Sequence, residues 1–226
     1  MSWHGLAANP GRLASEQDRL AAEIWTAWRP LGHYTVGAAF VCFDQATSGN
    51  GSVGDRAFAA AACGGEVAVV TGESSSAYSP GRLAPRQGAL LERATRGLGA
   101  IPDVLIVDAT GRDHPRRCGL ALHLGAVLGV PTVGVTHRPL HAEGEWPADE
   151  RGAASPLVLD GEHVGYWVRT KPGTRPLAAH AAWRTGPEVA VEVVLVATER
   201  ARSPEPLRNA RAAARRLRGQ QVLPVA

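Results

Sequence analysis

The 226-residue chain is 45% hydrophobic and 20% charged, which is typical of a single globular domain of enzyme size. Its apolar runs are far shorter than a membrane span, and its formal net charge of +3 is too small to indicate a nucleic-acid-binding protein by itself. Three widely separated cysteines lack metal-ligand spacing, so we expect reduced thiols and a cytoplasmic protein without a membrane partner.

The first third of the chain predicts a helix followed by three strands. Leu20, Ile24 and Trp28 recur every four residues and predict a helix over Ser15–Leu31. Gly64-Gly65 is typical of a tight hairpin turn between two strands. The predicted strands form an antiparallel meander, and a Gly-, Ser- and Asn-rich loop predicted to be mobile follows the first of them: Tyr34–Phe43, loop Gln45–Gly54, Arg56–Cys63 and Glu66–Thr71.

The remaining two thirds alternate helices with strands, apart from one further hairpin around Gly161. The predicted elements are, in order, helix Leu83–Leu98, strand Val104–Asp108, helix Leu120–Leu128, strand Thr132–Val135, strands Leu157–Asp160 and His163–Thr170, and helices Glu188–Arg200 and Glu205–Leu217. This order predicts an α/β fold with a mixed sheet of about six strands flanked by helices, in one domain over residues 1–226. The arginines of Arg211–Arg218 are interpreted as a solvated helix face.

The residues best suited to chemistry lie between Pro102 and His137. Asp108 ends a buried strand, and the carboxyl ends of such strands are where α/β folds bind ligands and metals. A loop with Gly111 for a sharp turn follows, and then the cationic run His114-Pro115-Arg116-Arg117, which suits a phosphate group.

Three motifs of the chain resemble those of the endonuclease V family. They are Val107-Asp108-Ala109-Thr110-Gly111-Arg112-Asp113-His114-Pro115-Arg116-Arg117-Cys118-Gly119, the loop Ala77-Tyr78-Ser79-Pro80-Gly81, and Arg202-Ser203-Pro204-Glu205-Pro206-Leu207-Arg208. The resemblance covers roughly residues 15–212. It implies an RNase H-like fold and a Mg²⁺-dependent nuclease that cuts the second phosphodiester 3′ to deoxyinosine, or to inosine in RNA.

The resemblance also implies four catalytic positions, and this chain keeps one of them. Asp108 is retained, whereas the family's other Asp, its Glu and its His correspond to Ala39, Gln87 and Trp183. Mg²⁺ prefers hard oxygen ligands in octahedral geometry, and a placed base is needed to activate water. We therefore expect Mg²⁺ to bind weakly or not at all at Asp108, and the family's catalysis to be impaired, with Ala39 and Asp108 on adjacent strands.

Nucleic-acid binding is the function that these losses leave intact. The family's loop aromatic, here Tyr78, wedges into nucleic acid beside the lesion, and the basic run would hold phosphates. The partner predicted is DNA or RNA that is deaminated, inosine-containing or single-stranded. The residues predicted to contact it are Tyr78, Pro80, Gly81, Gly111, His114, Arg116, Arg117 and His137, the last of which replaces a family lysine.

Three alternatives remain open from the sequence. One is a weak metal-dependent endonuclease centred on Asp108, assisted by a relocated acid such as Asp44, Asp113 or Glu188. Another is an enzyme that uses the old cleft for small-molecule chemistry, for which the candidate groups are His137, His180, Cys118 and Asp108. The third is a structural partner that uses the fold only for assembly. The oligomeric state is left open.

Overall fold

The computed structural model describes residues 3, 5–44 and 51–221, so most of the predicted loop between the first two strands lies outside the described residues. Its helices and strands follow one another along the chain as α1 Pro10–Ala22, β1 Val36–Phe43, β2 Arg56–Cys63, β3 Glu66–Glu73, α2 Leu83–Arg96, β4 Val104–Val107, α3 Leu120–Leu128, β5 Thr132–Thr136, β6 Ala154–Leu159, β7 Glu162–Val168, β8 Leu177–Ala181, α4 Pro187–Val196 and α5 Glu205–Gln221.

The eight strands of the described residues form one sheet in the order β3-β2-β1-β4-β5-β8-β7-β6. Strand β4 pairs in parallel with β1 and β5, and the other neighbours are antiparallel. The predicted mixed α/β sheet and its antiparallel meander β1–β3 are therefore confirmed. The predicted count of about six strands in the sheet is wrong: all seven strands predicted along the chain belong to it, including the hairpin strands β6 and β7, and β8, which was not recognised, is the eighth. All five residues of β8 are buried, so its sequence LAAHA lacks the alternation of a half-exposed strand.

Helices cover both faces of this sheet. On one face, α1, α2 and α3 pack on alternate side chains of the central strands, including Ala39 and Val107. On the other face, α4 packs mainly on β7 and β8, and α5 packs on β1 and β2. Ala60 and Ala62 of β2 meet Ala210 and Ala214 of α5. These small side chains allow α5 to lie close to the sheet, which brings the middle of α5 near the end of β4.

Helix α1 is shorter than the sequence predicted and ends at Ala22 instead of Leu31. Glu23 is already extended with ψ 126°, and Ile24 is 99% exposed. Beyond it the chain runs along the loop after β8, where the Trp28 N–H donates to the Arg184 carbonyl at 2.8 Å. The fourfold spacing of Leu20, Ile24 and Trp28 therefore does not mark one face of a helix, because Leu20 is buried whereas Ile24 is exposed. Proline also disfavours the helical conformation for the residue before it, which here is Arg29.

Among the described residues, no helix is both long and apolar enough to cross a membrane. Cys42, Cys63 and Cys118 are free thiols, as the sequence predicted. Burial raises the pKa of all three thiols, that of Cys118 to about 12. Cys118 is therefore a poor nucleophile, which removes one of the groups considered for small-molecule chemistry.

Candidate functional site

A cleft of about 140 Å³ opens where β4 and β5 end, between the 77–81 loop and the 108–120 loop. The two motifs that are 30 residues apart in the sequence thus form opposite walls of one cleft. The lining residues that were predicted from the sequence are Tyr78, Pro80, Gly81, Asp108 and His114. Leu83, Ala84, Leu120 and Leu140 add apolar surface to the cleft. Such a surface accepts a flat apolar group better than it accepts a free ion.

Two buried side chains fasten one wall to the other. The Gly81 carbonyl accepts hydrogen bonds from His114 Nε2 at 2.7 Å and Gln17 Nε2 at 3.4 Å. Gln17 also donates to the Cys118 carbonyl at 3.1 Å. Because His114 Nδ1 accepts from the Arg116 N–H at 3.1 Å, the proton of the neutral ring lies on Nε2. Burial lowers the pKa of His114, although its bond to Gly81 opposes that effect. His114 therefore positions the loop as a neutral donor.

Glycine is required at two positions that were predicted to contact nucleic acid, 81 and 111, because neighbouring atoms lie close to where a Cβ would be. Gly81 has φ +72°, and a Cβ there would lie 3.2 Å from His114 Nε2. A Cβ on Gly111 would lie 2.1 Å from the Ala181 carbonyl oxygen. A larger residue at Gly111 would push the 108–120 loop away from β8, and one at Gly81 would disrupt the contact that closes the cleft.

A buried ion pair that sequence reasoning missed supports the base of the 77–81 loop. Arg86 Nη2 contacts Asp55 Oδ2 at 2.7 Å, and Arg86 Nη1 donates to the carbonyls of Ser76 at 2.6 Å and Ser52 at 3.0 Å. The Arg86 hydrogen bond is the main reason that the pKa of Asp55 is lowered. Tyr78, which lies two residues beyond Ser76, is 45% exposed, so its ring is accessible on an anchored loop.

The retained acid Asp108 forms an ion pair with an arginine. Arg211 Nη2 lies 3.0 Å from Asp108 Oδ1, and Arg211 Nε donates to Asp108 Oδ2 at 3.3 Å. The side chains are only 15% and 25% exposed, respectively. The interpretation of Arg211 as part of a solvated helix face is therefore wrong. Its guanidinium engages both oxygens through which Asp108 would bind a metal ion.

The sheet brings Phe40, rather than Ala39, to the face that carries this ion pair. Strands β1 and β4 are adjacent as predicted, and the Asp108 N–H donates to the Ala39 carbonyl at 3.5 Å. However, the Ala39 side chain lies in the core beneath α1–α3, opposite Val107 in register. Because side chains alternate along a strand, Phe40 faces α5, and Arg211 lies 5.7 Å from its ring centroid. The family motif therefore pointed to position 39, whereas the β1 side chain on the same face of the sheet as Asp108 is that of Phe40, one residue later.

Gln87 and Trp183, which stand at the family's Glu and His positions, are absent from the lining of the cleft. Gln87 is half-buried on α2, and Trp183 is buried in the core against Trp25 at a ring distance of 6.4 Å. Across residues 3, 5–44 and 51–221, no group of three or more His, Cys, Asp or Glu side chains could hold a metal ion. One carboxylate that is already paired with arginine does not fit the ligand set of Mg²⁺.

Two of the acids considered as replacements lie elsewhere. Asp44 follows the last residue of β1 and lies 3.8 Å from Arg56. Glu188 is exposed on α4 and accepts from the Tyr166 hydroxyl at 3.3 Å. Both acids have local partners and take no part in a shared site with Asp108.

The third acid, Asp113, does turn inward, but it binds backbone. Its side chain is fully buried and accepts from the N–H groups of Leu140 at 2.6 Å, His141 at 2.9 Å and Ala142 at 2.8 Å. It thereby ties the 108–120 loop to the segment after β5, whose Leu140 lines the cleft. Asp113 is a structural acceptor at the wall of the cleft.

The ring of His180 lies between Asp113 and the cleft residue Thr136. His180 Nε2 lies 2.8 Å from Thr136 Oγ1, and His180 Nδ1 lies 3.7 Å from Asp113 Oδ2, too far for a hydrogen bond. Burial lowers the pKa of His180, and the nearby Asp113 only partly opposes this. A weakly basic, fully enclosed ring without a bonded acid partner does not resemble an activated nucleophile–base pair. The arrangement holds the wall of the cleft in place.

The two arginines that were predicted to hold phosphates, Arg116 and Arg117, form ion pairs outside the cleft. Arg116 Nη1 contacts both oxygens of Asp18, at 2.8 and 2.9 Å, in an exposed pair. Arg117 contacts Glu162 at 2.8 Å and Asp160 at 3.1 Å. Neither arginine lines the cleft. Arg117 anchors the β6–β7 turn, whereas the exposed Arg116 pair contributes about 0–1 kcal/mol and could open for a phosphate.

Other segments bring further basic side chains close to the Asp108–Arg211 pair. His137 Nδ1 lies 3.0 Å from Arg202 Nη1. Burial and then the charges of Arg202 and Arg211 lower the pKa of His137, with Asp108 opposing them. Burial and then the charge of Arg211 also lower the pKa of Arg202. His137, predicted as a contact residue, therefore joins Arg202 and Arg211, which were not predicted, around the end of β4.

The sequence of this chain is similar to those of known proteins. A family model for endonuclease V matches residues 55–212, beginning after β1. An endonuclease V of Roseiflexus sp. (strain RS-1) is 41% identical over 137 residues, which are 61% of this chain and 62% of that protein. One of Methanopyrus kandleri is 43% identical over 148 residues, 66% of this chain and 64% of that protein. The chain thus matches slightly less than two thirds of the length of these relatives.

Solved structures are similar over a larger part of the chain. The endonuclease V of Streptomyces avermitilis has a TM-score of 0.82 at 29% identity, covering 98% of this chain and 97% of that one. The catalytic domain of human endonuclease V has a TM-score of 0.81 at 27% identity, covering 95% and 98%. An endonuclease V of Ciona intestinalis, solved with a 23mer DNA containing an inosine, is similar in fold with a TM-score of 0.76, at 19% identity over 94% of this chain and 98% of that one. The predicted RNase H-like fold is confirmed.

Proposed function

The chain belongs to the endonuclease V family, and from that premise we propose that it binds nucleic acid without cleaving it by the Mg²⁺-dependent mechanism of the family. One observation carries this proposal. The only family carboxylate that the sequence retains, Asp108, is paired with Arg211 on α5. The cleft beside that ion pair is nevertheless lined by the 77–81 and 108–120 loops, and Tyr78 is exposed there.

The chemistry at Asp108 argues against hydrolysis for two reasons. A divalent cation would first have to displace Arg211 from both carboxylate oxygens, and β1 offers only the ring of Phe40 in compensation. In addition, a base that accepts the proton of the attacking water must lie within hydrogen-bonding reach of it. His180 is enclosed, and its lowered pKa makes it a weak base. These features support binding as the remaining function.

Binding is supported by the form of the cleft and by the relatives. An exposed aromatic ring on an anchored loop can stack on an unpaired base, while apolar residues below it receive the base. The Ciona intestinalis relative was solved with inosine-containing DNA. We infer that the ligand of this chain is a single-stranded or deaminated segment of DNA or RNA.

The proposal is tested first by cleavage. Purified protein with Mg²⁺ or Mn²⁺ is incubated with a labelled strand that contains one deoxyinosine, beside the Asp108→Ala variant and an active endonuclease V. We expect the first two to give the same background, because Asp108 is neutralised by Arg211 and lacks a second carboxylate. Cleavage by the unmodified protein that disappears in Asp108→Ala would instead establish a metal-dependent endonuclease.

The second test is binding through Tyr78. Stacking on a base contributes about 1–3 kcal/mol, so Tyr78→Ala should weaken the binding of an inosine-containing single strand about tenfold or more. Fluorescence anisotropy at low salt measures this, and Tyr78→Phe, which keeps the ring, should bind almost as the unmodified protein does. A protein that binds no DNA or RNA at low salt would exclude this function and favour a small-molecule ligand near His137 and Asp108.

A further inference from the structure

One arginine binds the carboxylate at the end of β4, and a second arginine, in contact with a histidine, lies beside it. Arg211 comes from α5, Arg202 from the segment before it, and His137 from the end of β5. Arg211 binds Asp108 at 3.0 Å, and Arg202 contacts His137 at 3.0 Å. The two pairs are adjacent, because Arg211 Nη1 also lies 3.5 Å from the hydroxyl of Ser203, the residue after Arg202. In keeping with this, the charge of Arg211 lowers the pKa of both His137 and Arg202.

We propose that the Arg211 guanidinium takes the place of a metal ion on Asp108 and forms, with Arg202 and His137, a metal-independent site for a phosphate group. The proposal deepens the function proposed above, on which it rests, by naming the group that would hold the ligand's backbone. It assigns phosphate recognition to these residues instead of to Arg116 and Arg117.

The charge and the donors of this group suit an anion. Among the described residues, Arg211 is paired with one carboxylate, Asp108, and Arg202 forms no ion pair with an acid, so one positive charge is left unpaired. Because His137 Nδ1 lies against the donor Nη1 of Arg202, the proton of the neutral ring lies on Nε2, which can donate to a ligand. The Arg211 side chain is only 15% exposed and Arg202 is half-buried, and an ionic hydrogen bond is stronger where water is partly excluded.

The group is also held in place before a ligand arrives. Arg202 donates through Nε to the Arg175 carbonyl at 2.6 Å and through Nη2 to the Pro176 carbonyl at 3.0 Å. Arg211 is oriented by Asp108 and by Phe40, whose ring centroid lies 5.7 Å from its guanidinium carbon. Asp108 itself lines the cleft that contains Tyr78. A nucleotide stacked on Tyr78 could therefore place a neighbouring phosphate against Arg211.

The role of Asp108 distinguishes this site from a metal site. Where a metal ion holds the phosphate, Asp108→Asn weakens binding because it removes a ligand of the metal. Where Arg211 holds the phosphate, the same change strengthens binding, because it removes the anion that competes for the guanidinium. The two mechanisms predict effects of opposite sign from one substitution.

The experiment measures binding of inorganic pyrophosphate by calorimetry and of a labelled single-stranded oligonucleotide by anisotropy, both in EDTA. We expect Arg211→Met to weaken both about tenfold, Arg211→Lys to lose less, and Asp108→Asn to strengthen both about threefold or more. Arg216→Met is the matched control, since it removes an exposed arginine on the same helix beside β3 and should change binding less than twofold. Thermal melting confirms that each variant is folded.

Three outcomes would overturn the proposal: weaker binding by Asp108→Asn, binding abolished by EDTA, or equal effects of Arg211→Met and Arg216→Met. Its failure is distinguishable from that of the proposed function. If the oligonucleotide binds and depends on Tyr78 but ignores Arg211, only the phosphate site is wrong. If pyrophosphate binds through Arg211 while no oligonucleotide binds, the phosphate site stands and the nucleic-acid function falls.

Discussion

Replacing Asp113 with alanine is expected to lower the free energy of unfolding by about 3–5 kcal/mol, because a hydrogen bond to a charged group contributes about 1.5 kcal/mol or more. The fully buried carboxylate accepts three such bonds, from the N–H groups of Leu140, His141 and Ala142. Urea unfolding followed by circular dichroism measures the change.

Asp18→Ala is the control for that experiment. Asp18 is also an acid paired with a partner, but its side chain is 57% exposed and its partner Arg116 is exposed too. An exposed pair contributes about 0–1 kcal/mol, so this variant should unfold almost as the unmodified protein does. If Asp113→Ala is too unstable to purify, Asp113→Asn keeps one acceptor oxygen and should give a smaller loss. Losses of equal size for Asp18→Ala and Asp113→Ala would contradict the structural role of Asp113.

Lowering the pH from 7 towards 4 is expected to destabilise the protein through its buried histidines. Burial lowers the pKa of His123 to about 4, and its ring stacks on Trp3 at 4.7 Å. An unfolded histidine has a pKa of about 6.5, so between these values the unfolded chain binds more protons than the folded protein. The stability that the neutral ring provides is complete above about pH 6.5 and is lost as the pH falls towards 4.

The variant His123→Phe isolates this effect, because phenylalanine keeps a ring against Trp3 and does not titrate. Between pH 7 and 4.5 the unmodified protein should lose about 2–3 kcal/mol more than the variant does. His180, whose pKa burial also lowers, changes stability in the same direction and is present in both proteins. Parallel stability curves for the two proteins would show that His123 titrates normally.

Much of the fold could be predicted because its elements carry local signals. Strand β2 and helix α3 begin and end at the predicted residues, the first before a Gly-Gly turn and the second between Gly119 and the left-handed Gly129. Strand β8 and the end of α1 were missed, because neither depends on a local pattern. An alanine-rich strand buried on both faces has no periodicity, and the chain after Ala22 is held by contacts with the loop beyond β8.

The family, the mixed sheet and the importance of the Tyr78 and His114 loops could be read from motifs of adjacent residues. The use of Asp108 could not, because it depends on contacts between distant segments. The partner of Asp108 is 103 residues away on α5, and the choice between Ala39 and Phe40 depends on which face of β1 α5 covers. Charges so far apart in sequence meet only when the sheet is complete, so their pairing cannot be predicted from motif spacing.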